Sequence, residues 1–279
     1  MNSQITFDNI NKASRGILIK TRTVIRISDS KFVKCSYCTA YPTDSNRQGQ
    51  GGAILIQRYK VETDTQEDVE LLHSTFDACK SDNGCSIMFW VETNPIIRGN
   101  TITNHNYNKY IFTIIRGTNF ADQFTIENCS FVKNKFSNKQ KDDGGGSALW
   151  IANQQFFNEG ELSQLLFKDC NWTKNAGVYG GAFSYGKSNT VKFIQLEFQN
   201  CHFENNQATG DQGGALHLTT AVPVTIQGCT FYNNKCVNNI QNFGGDQALG
   251  GAIYFDTNAT SVNILNTTFR KNSAQNGNA

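Results

Sequence analysis

A pattern of five positions recurs eight times along the chain, and it constrains the possible folds more than any other feature. In the clearest copy, Val224 and Ile226 alternate with polar residues, the alternation slips by one residue, Cys229 and Phe231 continue it, and Asn234 follows. Strict alternation is typical of a half-buried strand, and a slip of one residue indicates a bend between two short strands. The aromatic position recurs every 26 to 44 residues, at Phe32, Phe76, Ile102, Phe131, Trp172, Phe203, Phe231 and Phe269.

A second motif follows most copies after a gap of variable length. It consists of a glycine pair, a small residue and then alternating apolar residues, at 51–54, 145–148, 180–183, 213–216 and 250–253. The alternating tail predicts a third short strand, and the glycines are expected where φ is positive or where the chain approaches itself closely. No Lys-Ser/Thr follows these glycines, so the motif does not indicate a phosphate-binding loop.

The two motifs together predict an all-β chain, a single-stranded right-handed parallel β-helix with about eight rungs of three short strands. Residues 1–279 are expected to form one domain: 1–24 an irregular or partial N-terminal rung, 25–272 the eight repeats, and 273–279 a truncated rung. Because the last residues stop midway through a repeat, we expect the chain to be part of a longer protein. Helical repeats are disfavoured, since the residues between apolar positions are Asn, Gly, Thr and Ser.

Strands of successive rungs lie about 4.8 Å apart, so equivalent residues are predicted to stack into columns. The asparagines of the repeat could form a polar binding stripe, but a structural column at a bend is favoured, because Asn tolerates left-handed backbone and its amide can bond the next rung. Cys129, Cys170, Cys201 and Cys229 are expected to form a column of buried thiols, and no metal or cofactor is predicted. Cys35 and Cys79 share a bend position on adjacent rungs, which makes a disulfide between them a hypothesis.

The motifs resemble those of a known family. Gly-Gly-Ala-Ile at 51–54 and 250–253, with Phe-x-x-Asn at 131–134, 203–206, 231–234 and 269–272, resembles the repeats of chlamydial polymorphic outer-membrane proteins. Similar repeats occur in large surface proteins of protists, and the asparagine-rich composition is closer to those. The resemblance covers nearly the whole chain from residue 25. It implies a pectin-lyase-like β-helix, a location at the cell surface or outside the cell, and a role in adhesion.

Charge and hydropathy narrow the possible partners. The chain has 25 basic and 23 acidic residues, a net charge of +2, so no nucleic-acid partner is predicted. No stretch approaches 18 consecutive apolar residues, so no membrane-spanning segment is predicted, and the first four residues do not resemble a signal peptide. The expected partner is a protein or glycan of a host or neighbouring cell.

Enzymatic activity is the alternative to binding, as a polysaccharide lyase or glycoside hydrolase. Glycoside hydrolysis needs paired carboxylates on one face, and the acids before the glycine pairs, Asp143, Asp211 and Asp246, leave a gap on the fifth repeat. The four histidines, His73, His105, His202 and His217, are expected at the surface, and no Ser or Cys nucleophile is predicted beside His202 or His217. We therefore predict no catalytic residues and favour a non-catalytic adhesive or structural stalk.

Binding residues are expected in loops at one edge of the helix. The long segments 36–50, 135–144 and 235–249 would protrude there, with Tyr37, Tyr41 and Phe243 as candidate contacts to a partner, including a glycan. N-glycosylation sequons begin at Asn128, Asn171, Asn258 and Asn266, and they mildly favour a secreted glycoprotein.

Overall fold

The computed structural model describes about three fifths of the chain, all of it in strands and the bends that join them. The described residues are 6–8, 17–21, 25–37, 53–58, 69–81, 87–91, 96–107, 112–116, 123–136, 150–152, 163–185, 193–210, 212–218, 223–237, 248–255 and 261–275.

Every strand pairing in this part of the chain is parallel, and the strands stack at four positions around a common axis. The first position is one sheet of β3 (Ile25–Ser28), β7 (Val69–Leu72), β11 (Ile96–Arg98), β15 (Gln123–Glu127), β19 (Ser163–Lys168), β23 (Phe193–Gln199), β27 (Val224–Gln227) and β31 (Val262–Leu265). The second is one sheet of β1 (Thr6–Asp8), β4 (Lys31–Val33), β8 (Thr75–Asp77), β12 (Thr101–Thr103), β16 (Ser130–Val132), β20 (Asn171–Thr173), β24 (His202–Glu204), β28 (Thr230–Tyr232) and β32 (Thr268–Arg270).

The third and fourth positions are each divided into two sheets. The third holds the two-residue strands β5 (Ser36–Tyr37) and β9 (Lys80–Ser81), then β13 (Asn106–Tyr107), β17 (Lys135–Phe136), β21 (Ala176–Gly177), β25 (Gln207–Ala208), β29 (Lys235–Cys236) and β33 (Ser273–Ala274). The fourth holds β2 (Ile17–Thr21), β6 (Ile54–Arg58), β10 (Ile87–Val91), β14 (Phe112–Arg116) and β18 (Trp150–Ala152), then β22 (Phe183–Tyr185), β26 (Leu216–Leu218) and β30 (Ile253–Phe255).

This arrangement confirms the predicted parallel β-helix of about eight rungs. Each of the first seven rungs takes one strand from each position in chain order, for example β23, β24, β25 and β26 in the sixth rung, and the described part of the eighth rung has β31, β32 and β33. The sequence predicted three strands per rung, and the structure adds a fourth, the two-residue strand directly after the asparagine. Such a strand is too short for an alternation to be visible, and it lies inside the variable gap before the glycine pair.

The aromatic column fills the interior, as predicted. The ring centroids of Trp172 and Phe203 are 4.7 Å apart and those of Phe203 and Phe231 are 4.6 Å apart, with the rings nearly parallel. Aromatic pairs of this kind add about 0.5–1.5 kcal/mol beyond their buried area. Phe269 is 44% exposed because β32 is the last described strand of its sheet.

Two bends in each rung require left-handed backbone, and the structure corrects which residue adopts it. The predicted bend residues, such as Asn134 and Asn206, have ordinary φ, whereas the residues immediately before them, Lys133 and Asn205, have φ of 54° and 55°. The asparagine side chain can therefore point inward while its neighbour makes the bend and points outward. Two positions in each repeat have this geometry, and non-glycine residues occupy most of them.

The glycine pairs have the two backbone roles that were predicted. Gly213 has φ of 70°, and a Cβ on it would lie 2.0 Å from the Leu216 carbonyl oxygen. A Cβ on Gly214 would lie 2.0 Å from the Gly251 carbonyl oxygen of the next rung. The first glycine is thus needed for its φ and the second for the close approach of two rungs.

Candidate functional site

Two inward-facing polar columns mark the bends of each rung. The thiol corner joins the first strand position to the second. Its inward residues are Ser30, Ser74, Asn100, Cys129, Cys170, Cys201, Cys229 and Thr267. Cys201 is typical, since its Sγ donates to the carbonyl oxygens of Gln199 at 3.3 Å and of Phe167, one rung away, at 3.4 Å. Burial raises the pKa of Cys170 and Cys201, so these groups are thiols rather than reactive thiolates.

The amide corner joins the second strand position to the third. Its inward residues are Cys35, Cys79, His105, Asn134, Asn175, Asn206, Asn234 and Asn272. Asn206 Nδ2 donates to Trp172 O at 2.9 Å and to Asn234 Oδ1 at 3.0 Å, while Asn206 Oδ1 accepts from the backbone and side-chain nitrogens of Asn175, both at 3.0 Å. The asparagines are therefore a buried structural column, as predicted.

His105 interrupts the asparagines of the amide corner. Its Nδ1 lies 3.2 Å from Asn134 Oδ1, and the ring is fully buried. Burial lowers the pKa of His105 to about 4, so the imidazole is neutral at physiological pH. The prediction of a surface histidine is wrong at this position, because the bend turns the side chain inward.

Cys35 and Cys79 lie opposite each other at one end of the amide corner. Both are buried thiols in this structure, and Cys79 Sγ donates to Phe32 O at 3.4 Å and to Asp77 O at 3.6 Å. Hydrogen bonding to Cys35 and burial raise the pKa of Cys79. The disulfide between them stays a prediction, which a thiol count on unreduced protein tests.

The predicted loop contacts fall largely outside the described residues. Tyr37 ends the short strand β5, opposite Ser81, and Tyr41 and Phe243 lie outside the described part of the chain. The loop acids Asp143, Asp211 and Asp246 also lie outside it.

Three of the four sequons can be placed on the surface. Asn128, Asn171 and Asn266 are exposed, with Asn128 and Asn266 at left-handed bends of the thiol corner and Asn171 on the outer side of β20. Asn258 lies outside the described residues. Glycosylation at these positions stays a prediction.

The outer surface beside the thiol corner carries charges that neutralise one another. Glu127 accepts from Arg98 Nε at 2.8 Å and from Lys168 Nζ at 3.1 Å, and Arg26 pairs with Glu70. The hydrogen bond from Lys168 holds the pKa of Glu127 below its usual value, and the charges of Arg98 and Lys168 act in the same direction. These pairs connect neighbouring rungs.

The outer surface of the amide corner is different, and we call it the lysine ridge. It comprises the two residues before and the one residue after each inward residue of the amide corner. Seven of these are basic and exposed: Lys34, Lys133, Lys135, Lys174, Lys235, Arg270 and Lys271. None of the seven forms a salt bridge with a residue that the structure describes. Sequence reasoning missed this ridge because the total charge is near zero. The signal that could have revealed it is a lysine directly before the bend residue, at Lys34, Lys133, Lys174 and Lys271.

His217 lies in a second cluster that sequence reasoning missed. Its Nδ1 lies 3.0 Å from Ser184 Oγ, its Nε2 lies 3.1 Å from Gln212 Oε1, and its ring stacks between Tyr179 and Tyr254. Ser184 and His217 are neighbours in the paired strands β22 and β26. The expectation of a surface histidine without a serine partner is therefore wrong for His217. His73 and His202 are at the surface, as predicted.

Among the described residues, no group of three or more His, Cys, Asp or Glu side chains could hold a metal ion. The same part of the chain contains no helix with the length and apolar character needed to cross a membrane. Comparison with models of known protein families, with curated proteins and with solved structures found no match to this chain.

Proposed function

We propose that this chain is a non-catalytic β-helix segment of a cell-surface or secreted protein, and that it serves as a rigid adhesive or structural stalk. The observation that carries the proposal is the continuous stack of parallel strands from β3 to β31, which extends about 34 Å at about 4.8 Å per rung. The resemblance to polymorphic outer-membrane-type repeats of protist surface proteins points to the same role.

The division of side chains between the inside and the outside supports a stalk. Thiols, amides and His105 are directed inward, where they connect rungs, so they are not available for chemistry on a substrate. The outward residues form regular columns on a rigid backbone. A rigid surface binds an extended partner with little loss of conformational entropy, which suits adhesion to a glycan or protein of another cell.

Adhesion can be tested directly with the folded chain. Beads coated with the chain are expected to attach to cells or to glycan-coated surfaces more than beads coated with albumin do. In parallel, the chain is incubated with uronic-acid polymers, and unsaturated products are followed by ultraviolet absorbance. Attachment without turnover supports the proposal, whereas turnover of any polymer, or attachment no greater than that of albumin beads, overturns it.

A hydrolase is the second candidate, and the cluster around His217 favours it. Ser184, His217 and Gln212 have the arrangement of a nucleophile, a base and a group that orients the base. Ser184 is only 2% exposed, however, and a nucleophile must reach its substrate. Labelling of Ser184 by a fluorophosphonate, abolished by Ser184→Ala, would establish the hydrolase, and we expect no labelling.

A further inference from the structure

We propose that the lysine ridge binds an extended acidic polysaccharide that runs parallel to the helix axis. This inference rests on the adhesive function proposed above and specifies the chemical class of the partner. The ridge lies on the outer side of the amide corner, so it follows the whole described stack from Lys34 in the first rung to Lys271 in the eighth.

The first support is the concentration of positive charge. The ridge has seven exposed basic residues and two acidic residues, Asp77 and Glu204, so its formal charge of +5 exceeds the +2 of the entire chain. The acids are engaged by amides, since Asn104 Nδ2 donates to Asp77 Oδ1 at 2.7 Å and Asn205 Nδ2 donates to Glu204 Oε1 at 3.1 Å. Lys271 Nζ donates to Tyr232 Oη at 3.0 Å, and the other six cations, which form no salt bridge with a described residue, are left to interact with a partner.

The second support is the fixed spacing of these charges. Lys133 and Lys174 occupy equivalent bends of the fourth and fifth rungs, so their Cα atoms are separated by about 4.8 Å, the distance between paired strands. Their backbone nitrogens donate to Thr173 O and Glu204 O of the following rungs, both at 2.9 Å. Lys135 begins the next strand of the fourth rung. Because the backbone is fixed, the ridge itself loses only side-chain entropy when a ligand binds.

The third support is the chemistry between the lysines, which favours a polysaccharide over nucleic acid. Duplex DNA carries one charge per about 1.7 Å of its axis, a much denser row of charge than cations on rungs about 4.8 Å apart. The seven cations of the ridge lie on the first, fourth, fifth, seventh and eighth rungs. Between them are the amides of Asn104, Asn205 and Asn233 and the hydroxyls of Thr103 and Thr173. Amides and hydroxyls bond sugar hydroxyls, and the widely spaced cations match the carboxylates or sulfates of an acidic glycan.

The test compares two double variants that remove the same amount of charge. Lys133→Gln with Lys174→Gln weakens the ridge, whereas Arg26→Gln with Lys168→Gln removes two paired cations from the outer surface near the thiol corner. The probe is a heparin octasaccharide, with neutral dextran of similar size as the negative control, and binding is measured by titration calorimetry at several salt concentrations. Circular dichroism checks that both variants remain folded.

We expect the ridge variant to bind heparin at least tenfold more weakly than the unmodified chain, with a shallower salt dependence, and the paired-charge variant to bind within about twofold of it. Equal losses in the two variants, binding of dextran as tight as that of heparin, or tighter binding of a duplex DNA of similar length would each overturn the proposal. Failure here is distinguishable from failure of the adhesive function. If beads carrying the ridge variant attach as well as those carrying the unmodified chain, adhesion stands and the ridge is not its site.

Discussion

The two corners of each rung solve the same geometric problem with different chemistry. At both, a left-handed residue is followed by an inward side chain that must satisfy backbone groups inside the helix. Asn206 at the amide corner makes its contacts at 2.9–3.0 Å, whereas Cys201 at the thiol corner approaches its carbonyl partners only to 3.3–3.4 Å. Thiols are weak donors, so the amide corner binds rungs together through directed hydrogen bonds and the thiol corner mainly fills space.

The residues found in each column agree with this difference. The thiol corner accommodates serine, asparagine, cysteine and threonine in turn, as at Ser74, Asn100, Cys129 and Thr267. The amide corner has cysteine or histidine on its first three rungs and asparagine on each of the five rungs from Asn134 onward. A position that only needs a small group with a weak donor accepts several residues. A position at which one side chain must donate and accept along the axis accepts mainly asparagine.

Replacement of Asn206 by leucine is expected to have the largest effect. The change removes the acceptor of the Asn175 backbone nitrogen, one of the two acceptors of Asn175 Nδ2, and the donor to Trp172 O, all of them buried. We expect a loss of about 3–5 kcal/mol, measured as the shift in the urea unfolding midpoint. Asn171→Leu, on the exposed side of β20, is the matched control and should change stability by less than about 0.5 kcal/mol. Similar losses in both variants would show that the inward column has no special role.

Acidification tests the one imidazole in the amide corner. The pKa of His105 is about 4 in the folded chain and about 6.5 when unfolded, so the unfolded state binds a proton first as the pH falls. The free energy of unfolding is therefore unaffected by His105 protonation above pH 6.5. Between pH 6.5 and 4 it falls by about 3 kcal/mol, because the unfolded chain takes up the proton more readily.

His105→Asn should remove this part of the pH dependence and restore the hydrogen bonds of the column. His73→Asn, at an exposed bend of the thiol corner, should leave the dependence unchanged. Unfolding midpoints at pH 7.5, 5.5 and 4.5 would decide the matter. An unchanged pH profile in His105→Asn would show that the lowered pKa of His105 is not the cause of the pH dependence.

These residues show how far the sequence could predict the molecule. The stack, its eight rungs and the inward columns follow from one periodicity, because alternation and bend spacing are local properties of the chain. The direction of His217 toward Ser184 was not predictable, since the two are 33 positions apart and their pairing depends on the lengths of the intervening loops. The lysine ridge depends on the left-handed bends, which turn Lys133 and Lys174 outward side by side, and total charge conceals it.

The same substitution at both corners sharpens their comparison. Cys201→Ser places a hydroxyl where Ser30 and Ser74 already occur in the column, so we expect a loss of about 1 kcal/mol, mainly from reduced packing. Asn206→Ser shortens a side chain that bridges three rungs and should lose about 3 kcal/mol. Thermal unfolding of the two variants under reducing conditions measures the difference. If Cys201→Ser were the more damaging change, the thiols would be the principal connection between rungs.

The smallest expected effect concerns the left-handed residues themselves. Ala78 has φ of 51° at the amide corner, a conformation that costs alanine roughly 1 kcal/mol and that asparagine adopts more readily. Ala78→Asn should also gain the contact between rungs seen where Asn233 Nδ2 donates to Asn205 Oδ1 at 2.5 Å. We expect a stabilisation of about 0.5–1 kcal/mol.

His73→Asn, at the thiol corner of the same rung, should change stability by less, because histidine already tolerates left-handed backbone. Midpoints that rise equally in both variants would mean that backbone preference alone sets the gain, whereas a rise in Ala78→Asn alone would show that stacked outward amides strengthen the amide corner as the inward ones do.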